Sequence, residues 1–223
     1  MAQPSTQPRR ARLNKDRVLR AAVALADESG IEALSMRRLA EVLGVVPMAL
    51  YKHTASKEEL LDGMIDIVVG EIEPPGAITE ANWKTVIRER ILSARQSLRR
   101  HPWASAAIEA RTDPTPVMLA YIDSIIGMFR AGGFSIDLTH HALHALGSRL
   151  LGYTPEVFND SQGLDPQVLE VVVSQMKDAF PHVAELAQAV YHDAASVVGA
   201  GCDDQFEFEF ALDLLLDGLD RLR

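Results

Sequence analysis

From Asn14 to Arg223 the apolar side chains recur almost everywhere at helical spacing, punctuated by proline, glycine and Asn/Asp/Ser caps. That periodicity confines the chain to an all-α fold. Asn14 can cap a first helix carrying Val18, Ala22 and Leu25, which Gly30 stops. Ser35 opens a second through Leu39, Val42 and Leu43, ended by Gly44. Pro47 suits the first position of a third, very short helix reaching His53. Ser56-Lys57-Glu58-Glu59 is a capping-box pattern that opens a fourth helix, running to Glu73 ahead of Pro74-Pro75-Gly76. Further helices are predicted near residues 82–100, 103–110, 116–131, 137–152, 166–179, 182–198 and 204–222. Phe206-Glu207-Phe208-Glu209-Phe210 alternates like a strand. Phe208, Leu212, Leu215, Leu219 and Leu222, however, step by four and three, which a strand cannot sustain and a seam between helices requires. The helix wins, and the stripe, with a partner helix, is expected to hold a second copy of the chain, part of it also facing the protomer's own core.

Charge is divided unevenly along this helical chain. The net charge of −9 looks wrong for a nucleic-acid binder until it is split. Residues 1–57 hold ten basic groups (Arg9, Arg10, Arg12, Lys15, Arg17, Arg20, Arg37, Arg38, Lys52, Lys57) against five acids (Asp16, Asp27, Glu28, Glu32, Glu41). The rest of the chain keeps 12 basic and 26 acidic groups. A basic block on an acidic body grips phosphate at one end and repels it elsewhere. Residues 1–13 read as a disordered basic arm, 14–60 as one helical unit and 61–223 as a second. No apolar run approaches the roughly 20 residues of a membrane span, and the N-terminus lacks a signal-peptide core. Cys202 is the single cysteine, so no disulfide can form within the chain and a cytoplasmic setting is expected. Phosphate-binding glycine loops, Gly-x-Ser-x-Gly and His-Glu-x-x-His are all missing, so no enzyme is expected.

The informative window is Ser35–Lys57. Two short helices around Gly44 fit a helix-turn-helix: Ala40 permits close approach, Gly44 can take the left-handed turn, and Val45 and Leu50 close the pair. Such a unit sets the start of its second helix against base edges in the major groove. Pro47, Met48, Ala49 and Lys52 fall there. The first three cannot hydrogen-bond a base through their side chains, but can press on a thymine methyl. Arg37 can reach a guanine with two hydrogen bonds, while Tyr51, His53 and Lys57 are spaced to contact phosphates.

Ile31-Glu32-Ala33-Leu34-Ser35-Met36-Arg37-Arg38-Leu39-Ala40, then Gly44 through His53, then Lys57-Glu58-Glu59-Leu60-Leu61-Asp62, closely resemble the tetracycline-repressor (TetR) family. A weaker resemblance to the tetracycline repressor's C-terminal type runs through Gly133-Phe134-Ser135 and the last helix. The resemblance implies an all-helical homodimer, a double-stranded operator, and a ligand pocket through which a small-molecule inducer controls DNA affinity. It places Arg37 at a base contact and Tyr51, His53 and Lys57 at backbone or bracing positions, with Ser35 also among the DNA-binding residues; it makes 14–60 a helix-turn-helix DNA-binding domain and 61–223 a helical ligand-binding and dimerisation domain. Pro47, Ala49 and Lys52 depart from the tetracycline repressor, so its operator is not the expected target. Arg90 falls at a drug-contacting amide and Ile108 where a histidine holds the drug's magnesium, which argues against a tetracycline–magnesium ligand.

Other residues are candidates for the pocket wall. Trp103, Met118, Tyr121, Met128, Phe129 and Met176 can line an apolar cavity or simply fill the core. Arg90, Arg111 and Arg149 can pair an anionic ligand or internal carboxylates such as Glu109. His140 and His144 lie one helical turn apart, with His141 on another face. They can line the pocket, but no cysteine or carboxylate at fixed spacing completes a metal site, and none is expected. No cofactor is expected beyond the unidentified effector.

Overall fold

The computed structural model describes residues 12–152, 171, 174, 177–185 and 204–223. Among them every regular element is helical: α1 (Lys15–Ser29), a 3-10 turn (Ile31–Ala33), α2 (Met36–Leu43), α3 (Pro47–Leu50), α4 (Lys57–Gly70), α5 (Trp83–Arg100), α6 (Ala104–Glu109), α7 (Pro116–Ala131), α8 (Ile136–Leu151) and α9 (Asp204–Leu222). Residues 181–185 are also helical. The arm through residue 11, Met176, Cys202 and most of the helices expected near 166–179 and 182–198 lie outside the described residues.

The caps work as the sequence signals. Asn14 Oδ1 accepts from Arg17 N at 2.8 Å, and Ser35 Oγ from Arg38 N at 3.2 Å. Ser56 Oγ accepts from Glu59 N at 3.1 Å. Glu59 returns the favour one residue early, accepting from Ala55 N at 2.6 Å rather than from Ser56 N. Two helices end sooner than the spacing predicts. α3 closes at Leu50, whose carbonyl takes both His53 N and Thr54 N, so Tyr51–His53 form a turn. α4 closes at Gly70, with Glu71 N and Ile72 N bonded back in tighter turns.

Contacts group the chain into two compact units, one up to Gly132 and one from Gly133 onward. α4 packs on α1 and also on α5, α6 and α7. In the first unit Leu60, Met64 and Val68 of α4 share one core with Val18, Leu25, Leu39, Leu50, Trp103 and Ala104. Gly63 lets α4 come close to α1: a Cβ there would sit 2.6 Å from a Leu19 methyl. Gly63→Val is therefore expected to cost about 1–3 kcal/mol through overpacking, read as a lower urea midpoint.

In the second unit α9 packs on α8. Phe206 and Phe210 stack at 6.4 Å, one turn apart on a helix. Part of the expected stripe faces the protomer's own core. Phe208, Leu212 and Leu219, with Leu216, are buried within the protomer, and Leu215 is half-buried. The exposed apolar groups on α9 are Phe210, Leu214 and Leu222. The four-three stepping identified an apolar helix face, but the protomer's own α8 takes most of it.

Candidate nucleic-acid interface

The turn between α2 and α3 is built to hold one shape. Gly44 stands at φ 66° and ψ 37°, in the left-handed region where a Cβ is penalised. Its N–H bonds Glu41 O at 3.1 Å, and Val45 N bonds Ala40 O at 3.0 Å. That pair of bonds is a Schellman cap, which satisfies the last α2 carbonyls and turns the chain. Val46 is extended, Pro47 occupies the first helical position, and Ala49 N bonds Val46 O at 2.9 Å. Leu39, Ala40 and Leu50 are fully buried against α1, so the α3 start is fixed to the core.

On this frame the expected contact residues share the α2–α3 region and the α4 start. Ser35 is exposed and spends its hydroxyl on the α2 cap. Arg37 points outward, paired across one turn with Glu41 at 3.2 Å, with its side chain 87% exposed. An exposed pair of this kind contributes little to stability and is easily exchanged for a nucleic-acid contact. Arg38 instead reaches Ser29 at 3.4 Å. Pro47, Met48, Tyr51 and Lys52 are exposed, and His53 is half-buried. Ala49 is half-buried too, turned partly toward the core, so Val46 takes the exposed place beside Pro47 and Met48. Sequence reasoning missed Val46, because a valine before a proline carries no polar signal. Lys57 is exposed in the first turn of α4, where a cation opposes the helix dipole.

Two substitutions separate the roles of these cations. Arg37→Ala is expected to cost about 1–3 kcal/mol on the operator and to relax preference at one base pair per half-site. Lys57→Ala should weaken all duplexes nearly equally and lower the salt slope by about one per protomer. Titrations on selected and scrambled duplexes at several salt concentrations check both. Equal losses on both duplexes for Arg37→Ala would make it a phosphate contact.

α4 ties this region to the helices behind it. Its C-terminal end is held by Ser97 Oγ donating to Val68 O at 2.8 Å and by Arg90, whose Nη1 donates to Ile72 O at 3.1 Å and also to Glu73 O. Arg90 is buried, with its guanidinium 4.9 Å from the centre of the Tyr121 ring. Burial lowers the Arg90 pKa and raises that of Tyr121, which the nearby cation partly offsets. Midway along α4, Asp62 pairs with Arg111 and Asp66 accepts from Thr115 Oγ1. An open cleft of about 640 Å³ lies there, lined by Lys15, Glu59, Asp62, Asp66, Arg111 and Thr115 among others.

Within the first unit Arg111 lines the cleft, while Arg90, Trp103, Ile108, Met118 and Tyr121 do not. Ile108, Met118 and Tyr121 are half-buried. Trp103, expected on a cavity wall, belongs to the core around α1 and donates from Nε1 to Asp27 at 2.7 Å. Met128 and Phe129 are core residues. In the second unit His140 and His144 are exposed, their rings 4.6 Å apart and edge-on. Arg149 Nη2 donates to Glu207 O at 2.9 Å, so it serves the α8–α9 packing.

No sequence signal pointed to the junction around His101. This histidine is 7% exposed, with Nδ1 2.8 Å from Asp27 of α1 and Nε2 3.2 Å from Glu71 after α4. Arg100 also donates to Glu71, at 2.8 Å. Burial opposes ionisation of Glu71, yet the hydrogen bonds from Arg100 and His101 outweigh it and hold its pKa below the ordinary range.

Comparison with known proteins agrees with this geometry. Residues 18–64 match the family described as bacterial regulatory proteins, tetR family. Residues 75–223 match the tetracyclin repressor-like C-terminal domain. The HTH-type transcriptional repressor DrrR1 of Streptomyces coeruleorubidus is 29% identical over 217 residues, covering 94% of this chain and 78% of that protein. The class G tetracycline repressor of Vibrio anguillarum is 30% identical over 216 residues, covering 95% and 96%. Among solved structures, ActR of Streptomyces coelicolor in complex with (S)-DNPA superposes with a TM-score of 0.71 at 26% identity, covering 94% of this chain and 98% of that one. With the helix-turn-helix and both halves of the family matched, this chain belongs to the TetR family and is a DNA-binding transcriptional regulator, not an enzyme.

Proposed function

We propose that the protein is a repressor that binds a pseudo-palindromic operator as a homodimer and is released by a small-molecule inducer. The observation that carries this reading is the double attachment of α4. One side of it shares the core of α1–α3, and the other is bonded to α5–α7 through Ser97, Arg90, Arg111 and Thr115. A ligand that displaces α5–α7 must drag α4, and with it the recognition end. ActR was solved with (S)-DNPA and with actinorhodin, and DrrR1 is named a repressor, which supports a ligand-released mechanism here. Ile108 at the expected magnesium-ligand position favours an effector bound without a metal, and no cofactor is invoked. The protein works in the cytoplasm, beside its DNA; no described helix is long and apolar enough to cross a membrane.

The release is a shift of population. Moving the protein from 1:99 to 99:1 in favour of the free form needs an inducer that prefers that form by about 10⁴-fold. In the DNA-bound form the two recognition ends should lie roughly 34–36 Å apart, one duplex turn. Selecting duplexes from a random pool with the full-length protein tests the reading. A two-fold symmetric consensus is expected, and selection of no preferred sequence would overturn it.

A further inference from the structure

We propose that the exposed apolar tip Val46-Pro47-Met48 reads the 5-methyl group of pyrimidines. The half-site would then be specified at this position by methyls rather than by a donor–acceptor pattern. The inference rests on the helix-turn-helix reading and adds the chemistry that the tip recognises.

Val46 is 67% exposed and Met48 71%, at the end of the motif that enters the groove, while Leu50 just beyond is fully buried. The side chains of Val46, Pro47, Met48 and Ala49 neither donate nor accept conventional hydrogen bonds to a base; the Met48 thioether is at best a weak acceptor. In water these apolar groups gain nothing from their position. The turn that carries them is rigid, fixed by the bonds from Val45 N to Ala40 O and from Ala49 N to Val46 O, so the tip cannot fold back onto the core. Arg37, Lys52 and Lys57, near it in the sequence, are exposed as well.

Base edges in the major groove offer donors, acceptors and one apolar group, the thymine methyl. A valine or methionine pressed against a bare amino or carbonyl edge strips its water and returns no hydrogen bond, which is unfavourable. Pressed against a methyl, the same side chain buries apolar area on both partners. Cytosine methylated at C5 carries the methyl in the same place, so the tip should accept 5-methylcytosine where it rejects cytosine.

The test uses full-length protein and the duplex selected from a random pool. Each thymine is replaced in turn by uracil, which removes only the methyl. One or two positions per half-site should lose about fourfold in affinity, and about 15-fold when both half-sites are changed. At those positions a C·G pair should bind more weakly than T·A, and a 5-methylcytosine·G pair should recover part of the loss. Val46→Ala and Met48→Ala, both at exposed sites, should still bind and should flatten the uracil penalty. A selected duplex indifferent to uracil at every position overturns this inference alone. So does a uracil penalty that persists in both variants. If no sequence is selected at all, this inference falls together with the regulator reading.

Discussion

Replacing Leu214 with glutamate is expected to leave the protein monomeric at micromolar concentration and to reduce operator affinity by about 10²–10⁴-fold. The argument starts from the two faces of α9. Phe208, Leu212, Leu216 and Leu219 are buried within the protomer, whereas Phe210, Leu214 and Leu222 are 42%, 58% and 70% exposed. With Gly218 these exposed residues form a row at steps of four, the ridge that packs into a groove between crossing helices. Among the described residues a Cβ on Gly218 would meet no atom within 4 Å, so none of them demands a glycine there. Mid-helix glycine costs about 0.5–1 kcal/mol relative to alanine, a cost that the close approach of a partner helix explains. A carboxylate at Leu214 would be buried and unpaired in such an interface. Loss of the dimer also loses the second half-site, whose binding is intramolecular once the first is engaged. Sedimentation and operator titration check both parts. A variant that stays dimeric with undiminished affinity would remove this row from the interface.

The second large effect is expected at His101. Removing its ring in His101→Ala leaves Asp27 and Glu71 facing each other across a partly buried gap without the donor that joined them. Trp103 and Arg100 still satisfy one oxygen of each carboxylate, which limits the damage. A loss of about 2–4 kcal/mol is expected, seen as a lower denaturant midpoint at unchanged slope. His101→Gln can still donate one hydrogen bond and should lie between. An unchanged midpoint for His101→Ala would mean that the junction contributes nothing to stability. The same site predicts a pH dependence. The folded pKa of Glu71 is depressed, so its contribution is complete above the unfolded value and disappears as pH falls through the folded one. As pH falls below about 4.5 the unmodified protein should lose stability that Glu71→Gln does not lose.

Local signals in the sequence determined much of this protein. Asn14, Ser35 and Ser56 announced helix starts because a short polar side chain satisfies amides only two or three residues away. Gly44 and Pro47 announced the turn because their backbone preferences are intrinsic. Hence the all-α class, the helix-turn-helix and its exposed cations were legible before any coordinates. The family resemblance carried the regulatory function from the same residues.

What the sequence left undecided depends on partners distant along the chain. Leu214 and Leu216 look alike in a helical stripe, and only the position of α8 made one of them core and the other surface. Trp103 could have lined a cavity until the fold placed Asp27, 76 residues away, within reach of its indole N–H. Arg90, legible as a ligand anchor, is engaged by the carbonyls of Ile72 and Glu73 at the end of α4. Periodicity tells which residues of a helix leave water; it carries no information about what they meet. That choice belongs to helix–helix packing, because burial energy is non-directional and the polar groups must then be satisfied wherever the packed helices leave them.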